Sequence, residues 1–304
     1  MAVSFLSRTV TAADGLMLHA RDYGRAEPGA PTVLCLSGLA RTAADFDPLA
    51  LHLLADHPER RVVAPDYRGR GGSGRDPDPD RYDLPVESAD ILAVCDALGV
   101  DPAVVVGTSR GGLHAMVLAA VRPALLAGVV LNDIGPVIEA KGLERIRGYV
   151  GKLPSPSSWD HAVELLRGVA GHHFTGLADD DWLRYAQTTF EEQDGAFRTR
   201  YDPALMRNLA KLDLSAVPTL WPQFDALAAV PVMVLRGENS DLLSPGTVAA
   251  MAARHPNLDT LTVPGQGHAP LLTDAPTLGE IAGFVDRCLC RDAASAAAGL
   301  SLLP

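Results

Sequence analysis

Ala103-Val-Val-Val-Gly107-Thr-Ser109-Arg-Gly111-Gly112 is the stretch on which the reading of this chain turns. A short apolar run rich in valine reads as a buried strand, and a helix-like segment opens directly behind it, over residues 110–121. Between them lies Gly-x-Ser-x-Gly. A nucleophilic hydroxyl has to stand clear of a sheet, so the strand-to-helix turn must be very tight and the serine backbone strained. Gly107 and Gly111 remove the side chains that would collide across such a turn. The helix N-terminus behind Ser109 offers free N–H groups and a partial positive charge to a developing oxyanion. Isolated, the motif is common; between a strand and a helix it is specific, and it makes Ser109 the candidate nucleophile.

Outward from this turn, strands and helices alternate. Residues 3–11 and 16–23 form a hairpin pattern around Asp14-Gly15. Continuous apolar runs at 32–36, 61–64, 103–106 and 128–131 fit strands buried on both faces of a parallel sheet. Helix-like segments at 46–55, 86–98 and 110–121 separate them, and the pattern resumes with strands at 230–236 and 258–263 and helices at 245–254 and 275–289. The expectation is an α/β fold with a mostly parallel, doubly wound sheet. The interval 135–229 lacks strand-like runs, holds helical stretches at 159–169 and 178–190, and carries ten of the sixteen aromatic residues, Trp159, Trp182 and Trp221 among them. It reads as a helical cap, most of whose aromatics form its own small core, inserted into a core domain of residues 1–134 and 230–304. The Ala- and Ser-rich tail, 292–304, has little to anchor it.

Serine needs a base within hydrogen-bond reach, and the base needs an orienting carboxylate. The chain order expected for this architecture is serine, acid, histidine. His268, in Gly265-Gln-Gly-His268-Ala-Pro270, follows the strand at 258–263, at the end of the sheet where doubly wound folds present reactive groups. The other histidines are worse placed: His52, His57 and His255 belong to helices or their ends, His19 to an early strand, His114 to the helix after the serine and His161 to the cap. The His172-His173 pair lacks a third ligand in register, so no metal is expected. Two carboxylates compete for the third role. Asp241, beyond the strand at 230–236, is the preferred acid; Asp133, after the strand at 128–131, is the alternative and is expected to sit at the pocket edge where the cap begins. Glu238 and Asp225 are weaker candidates. The oxyanion donors are read as the backbone N–H groups of Arg110 and of Leu39, the latter in the loop Leu36-Ser-Gly-Leu-Ala-Arg41.

Composition narrows the function further. The chain of 304 residues is 47% hydrophobic, enough for a sizeable core, and its net charge of −11 argues against a phosphate-backbone binder. Asp66-Tyr-Arg-Gly69-Arg-Gly71-Gly-Ser73-Gly74 is glycine-rich, but it lacks a Gly-Lys-Ser/Thr ending and opens into a Pro/Asp-rich loop at 75–83, so no nucleotide site is expected. Four cysteines, Cys35, Cys95, Cys288 and Cys290, do not suggest a disulfide framework. No secretory pattern or membrane-length apolar run is read, and the expectation is a cytoplasmic protein, monomeric or a homodimer, acting on a small molecule without cofactor, metal, nucleic acid or membrane.

These residues resemble the α/β-hydrolase superfamily over nearly the whole chain, through the Ser37-Gly38 turn, the Asp66–Ser73 segment, the Gly107–Gly111 turn and the Asp241/His268 pair. Leu131-Asn-Asp-Ile-Gly-Pro136 adds a likeness to bacterial esterase-like hydrolases with a helical cap. The resemblance implies a mainly structural role for the Asp66 segment and ester cleavage through an acyl-enzyme. Lactone opening, carbon–carbon cleavage of a vinylogous diketone, a cofactor-free haloperoxidase-like activity, and a ligand receptor on a hydrolase scaffold are the alternatives. Haloalkane dehalogenases and epoxide hydrolases of this fold carry Asp at the turn, which Ser109 disfavours. Two departures stand out: Ser37 replaces a common His before Gly38, and Arg110 follows the serine where small or apolar residues are usual. A cation at 110 would either favour an anionic substrate or form a salt bridge pointing outward.

Overall fold

The computed structural model describes residues 4–25 and 32–300, with the backbone alone over 291–300. The first part of the chain runs β1 (Leu6–Thr11), β2 (Met17–Gly24), β3 (Thr32–Leu36), α1 (Asp47–Asp56), β4 (Arg61–Pro65), α2 (Leu84–Leu98), β5 (Ala103–Thr108), α3 (Arg110–Val121) and β6 (Leu126–Asn132). The inserted part runs α4 (Ala140–Tyr149), α5 (Trp159–Ala170), α6 (Asp179–Thr189), β7 (Phe190–Gln193), β8 (Ala196–Thr199), α7 (Met206–Lys211) and α8 (Trp221–Asp225). The sheet then resumes with β9 (Val232–Gly237), α9 (Pro245–Arg254), β10 (Leu258–Val263) and α10 (Ala275–Leu300). The last helix therefore continues past the expected end at 289, and residues 301–304 of the expected loose tail lie outside the described residues.

Eight strands form one sheet in the order β1-β2-β4-β3-β5-β6-β9-β10. The hairpin β1/β2 and the β2/β4 pair are antiparallel, and every other pairing is parallel. Strands β3, β4 and β6 are buried along their whole length, as continuous apolar runs require when helices cover both faces. Alternation within each strand splits the core in two. Leu34, Leu36, Val105 and Leu131 face Ile91, Val94, Ala115 and Leu118 of α2 and α3. Val33, Cys35, Val104 and Val106 face Leu49, Leu53, Ile281 and Phe284 of α1 and α10. The winding direction reverses between β3 and β5, so the loops leaving these neighbouring strands diverge and open a crevice at their carboxyl ends.

The insertion has its own core of Ala162, Leu166, Phe174, Trp182, Ala186, Phe190 and Phe197. Trp159 packs edge-on against Phe197, with ring centroids 4.9 Å apart. Trp221 departs from this pattern and packs against the main core beside the buried Phe224. The insertion is also not purely helical: β7 and β8 form a hairpin over Asp194-Gly195, whose φ values of 52° and 74° suit the turn that Asp-Gly favours. The same dipeptide signal marks the first hairpin, at Asp14-Gly15. It went unread at 194–195 because the helical pattern around it is strong and the two strands have four residues each.

The glycine-rich Asp66 segment is scaffold. The Asp66 carboxylate accepts hydrogen bonds from the N–H groups of Ala43 (2.7 Å) and Gly72 (3.0 Å) and pairs with His19 Nδ1 at 2.7 Å. These bonds tie β2, the loop after β3 and the segment's own turn together. Cys35, Cys95 and Cys290 are free thiols.

Candidate active site

The turn at Ser109 has the strained geometry expected of a tight strand-to-helix turn. Ser109 adopts φ 51° and ψ −112°, a conformation that costs a non-glycine residue on the order of 1–3 kcal/mol. The surrounding close packing holds it there. A Cβ placed on Gly111 would lie 2.0 Å from the carbonyl oxygen of Leu36, and one on Gly107 would lie 2.5 Å from the carbonyl carbon of Gly111. The Ser109 N–H donates to the carbonyl of Asn132 (2.9 Å), which locks the turn to the end of β6.

His268 meets this serine directly: the Ser109 hydroxyl lies 2.9 Å from His268 Nε2. On the other side of the ring, Nδ1 lies 2.8 Å from Asp133 Oδ2. The Asp133 side chain is wholly buried, and that of His268 is 5% exposed. Asp133 also accepts from the Gly237 N–H (2.8 Å) and the Ser240 hydroxyl (2.6 Å), so two further donors fix the carboxylate that faces the imidazole. Such a chain fixes the neutral tautomer with the proton on Nδ1, leaving Nε2 free to take the serine proton.

Asp241, expected to orient the histidine, stands elsewhere. Its two oxygens accept from Arg145 Nε (2.7 Å) and Nη2 (2.9 Å), and His173 Nε2 lies 3.7 Å away. Burial alone would raise its pKa, but the Arg145 hydrogen bonds and charge outweigh that and hold it below the usual carboxylate range. The reason is geometric. Strands β5 and β6 pair with Thr108 opposite Asn132, so Ser109 and Asp133 leave adjacent strands at the same level, both with positive φ (51° and 56°). Asp241 comes four residues after the end of β9 at Gly237, and the intervening chain carries it toward the first cap helix. Of the weaker candidates, Asp225 pairs with Arg254, and Glu238 accepts from the Gly265 N–H.

The remaining predicted donors sit as follows. Leu39 and Ser109 both line one pocket with His268. The Leu39 carbonyl accepts from Arg70 Nε at 2.8 Å. Arg110 does not reach toward a substrate or outward. Its Nε donates to the wholly buried Glu87 at 2.5 Å, an inward ion pair that matches neither of the two alternatives posed for that residue. Burial would raise Glu87, yet Arg70 and Arg110 pull its pKa well below the ordinary range, so it is ionised. The neighbouring His114 is held low by burial, hence neutral.

The pocket above Ser109 runs between the core and the insertion. Leu39, Phe46, Ile146, Leu153, Leu166 and Leu271 give it an apolar lining, and Arg41, Tyr149, Tyr185 and Tyr201 add polar points. Arg41 joins the two parts. Its guanidinium donates to Asp45 (Nε, 2.6 Å), Thr189 (Nη1, 2.5 Å) and Thr188 (Nη2, 2.5 Å), and stacks 4.6 Å from the Tyr185 ring centre. Sequence reasoning missed this residue and the tyrosines, because a cap contacts the core through residues distant in sequence with no local pattern. Among the described residues, no cluster of three or more His, Cys, Asp or Glu side chains is placed to hold a metal, and no helix is long and apolar enough to cross a membrane.

Comparison with known proteins bears on this geometry. The family model for the alpha/beta hydrolase fold matches residues 31–275. The chain is 33% identical over 267 residues to the 3-hydroxybutyrate-oligomer hydrolase of Cupriavidus necator, across 84% of this chain and 89% of that protein. It is 28% identical over 284 residues to the 2-(acetamidomethylene)succinate hydrolase of Mesorhizobium japonicum, across 93% and 96% of the two chains. A crystal structure of an alpha/beta hydrolase from Novosphingobium aromaticivorans is similar at a TM-score of 0.87 and 40% identity, covering 94% of this chain and 99% of that one.

Proposed function

Because the chain belongs to the alpha/beta hydrolase fold family, we propose that it hydrolyses carboxylic esters through an acyl-enzyme, with Ser109 as nucleophile, His268 as base and Asp133 as the orienting acid. The observation that carries the reading is the continuous hydrogen-bonded chain Ser109–His268–Asp133, whose first two members line the pocket. Ser109 Oγ attacks the ester carbonyl while its proton passes to His268 Nε2. The tetrahedral oxyanion rests on the N–H groups of Leu39 and Arg110. The intermediate collapses with loss of the alcohol, which takes the proton from Nε2, and water then repeats the sequence to release the acid and free Ser109. Asp133 holds the ring through Nδ1 and stabilises the transient imidazolium.

The lining of the pocket favours an ester with an apolar acyl or alcohol part of modest size. The relative from Cupriavidus necator acts, by its name, on oligomers of 3-hydroxybutyrate, which are chains of aliphatic esters, and these belong among the substrates to try. Lactone opening and carbon–carbon bond hydrolysis use the same three residues, so substrate tests separate them. The experiment is a hydrolysis panel of p-nitrophenyl esters of rising chain length, 3-hydroxybutyrate oligomers, lactones and a vinylogous diketone, with Ser109→Ala as control. The expected result is turnover of short-chain esters that Ser109→Ala abolishes. Turnover confined to lactones or to the diketone would replace the ester assignment. Turnover slower than about one per hour on everything, against the ~1–10³ per second typical of enzymes, would favour a receptor.

A further inference from the structure

Glu87 lies in α2, far in sequence from the proposed nucleophile, and its side chain is wholly buried. One carboxylate oxygen accepts from Arg70 Nη1 at 2.6 Å. The other accepts from Arg110 Nε at 2.5 Å and lies 3.2 Å from His114 Nε2. Each arginine leads to one of the two loops that supply the oxyanion donors. Arg70 uses its Nε to hold the Leu39 carbonyl at 2.8 Å. The same loop is gripped at Ser37, whose carbonyl accepts from the Tyr67 hydroxyl at 3.1 Å, and at Gly38, whose carbonyl accepts from the Arg41 N–H at 3.2 Å. Arg110 is itself the first residue of α3, and its Nη2 also reaches the Tyr82 carbonyl at 3.3 Å.

The two donors sit on separate loops, after β3 and after β5, that diverge at the switch in winding direction. The β3/β5 ladder ends with Leu36 opposite Gly107, three residues short of each donor, yet an oxyanion hole works only when both N–H groups lie about 2.7–3.1 Å from the developing charge. We propose that Glu87 is a positioning residue: by carrying Arg70 on one oxygen and Arg110 on the other, it sets the distance between the Leu39 and Arg110 N–H groups. The inference rests on the acyl-transfer reading of Ser109. The cluster of two guanidinium groups on one carboxylate also leaves a net positive charge behind both donors, which favours the anionic intermediate over the neutral ester. A neutral amide at 87 accepts from only one arginine and turns an N–H group on the other, so the two loops lose their common anchor.

The test is Glu87→Gln together with Arg110→Gln, which leaves the 110 backbone N–H in place. The readouts are kcat, KM, and affinity for two inhibitors: a trifluoromethyl ketone, which forms a tetrahedral oxyanion adduct on the serine, and the matched secondary alcohol, which does not. For Glu87→Gln the expected result is a fall of ~10–100-fold in kcat, less than the ~10²–10³-fold that outright loss of an oxyanion donor costs, with KM little changed. Ketone affinity falls by the same factor and alcohol affinity stays put. Arg110→Gln gives the same pattern at smaller size, and it decides the matter alone if Glu87→Gln does not fold. A folded variant with kcat and ketone affinity within about twofold of the parent, or with equal losses for ketone and alcohol, overturns the inference. Ser109→Ala run alongside separates the two failures. Retained hydrolysis there refutes the acyl-transfer reading itself, whereas its loss beside an unaffected Glu87→Gln refutes the positioning role alone.

Discussion

Replacing Asp133 by asparagine changes one atom, and the structure dictates how the new side chain must sit. Oδ1 accepts from the Gly237 N–H at 2.8 Å, a backbone donor that cannot reverse its role. The amide oxygen of the substituted side chain therefore has to take that position. Its NH₂ group falls where Oδ2 now accepts from Ser240 Oγ (2.6 Å) and His268 Nδ1 (2.8 Å). The Ser240 hydroxyl rotates and becomes an acceptor. His268 answers by losing its Nδ1 proton, which moves to Nε2. That nitrogen lies 2.9 Å from Ser109 Oγ and now donates where it must accept. The base is lost although every heavy atom keeps its place. The expected fall in kcat is ~10³–10⁴-fold, as a wrong tautomer produces in a related triad, or about 4–5.5 kcal/mol of barrier. The assay is kcat and kcat/KM on the best ester of the panel, beside a thermal melt to show that the fold is kept. Asp241→Asn is the internal comparison, expected to retain kcat within about tenfold. A loss below tenfold for Asp133→Asn, or a larger loss for Asp241→Asn, would refute the assignment of the acid.

Other expectations concern the frame of the site. Asp241→Asn weakens the two hydrogen bonds that Asp241 accepts from Arg145 and lowers unfolding free energy by about 1–3 kcal/mol at pH 7, read from denaturant titration. Since the Asp241 pKa is depressed in the folded state, that stability is fully present above its unfolded value of ~4 and is lost as pH falls through the folded value. The gap between parent and variant should therefore narrow in acid, and a gap that holds constant from about pH 7 to about pH 2.5 counts against the ion pair. Gly111→Ala puts a methyl group 2.0 Å from the Leu36 carbonyl oxygen, and the expected cost exceeds ~4 kcal/mol. A melting curve matching the parent's would show that the turn is looser than described.

Much of the sheet is legible because its signals are local. The valine-rich run before Ser109 and the Asp14-Gly15 turn each state their element within a few residues, and the structure places strands β5, β1 and β2 there. The meeting of Ser109 with His268 is also legible, since each follows a strand in a motif of small residues. The carboxylate that His268 meets was not: in the structure Asp133 follows its strand without a gap, as Ser109 does, and the pairing of Thr108 with Asn132 brings the two side by side. Read from sequence, two acidic residues after two strands look equivalent. Only the register across strands, together with the Arg145 partner that the cap supplies to Asp241, distinguishes them. Arg41 and Glu87 were missed for the same physical reason. Their roles come from long-range hydrogen bonds to Thr189 and to Arg70 and Arg110, and periodicity carries no trace of such contacts.

In the proposed reaction Ser109 carries the acyl group. The most direct measurement is intact-mass and peptide mapping after reaction with an active-site-directed phosphonate, with turnover of the best ester followed in parallel. The expected result is one adduct per chain on the peptide containing Ser109, loss of hydrolysis in step with labelling, and neither labelling nor hydrolysis in Ser109→Ala. An adduct on another residue, or full hydrolysis by Ser109→Ala, would contradict it.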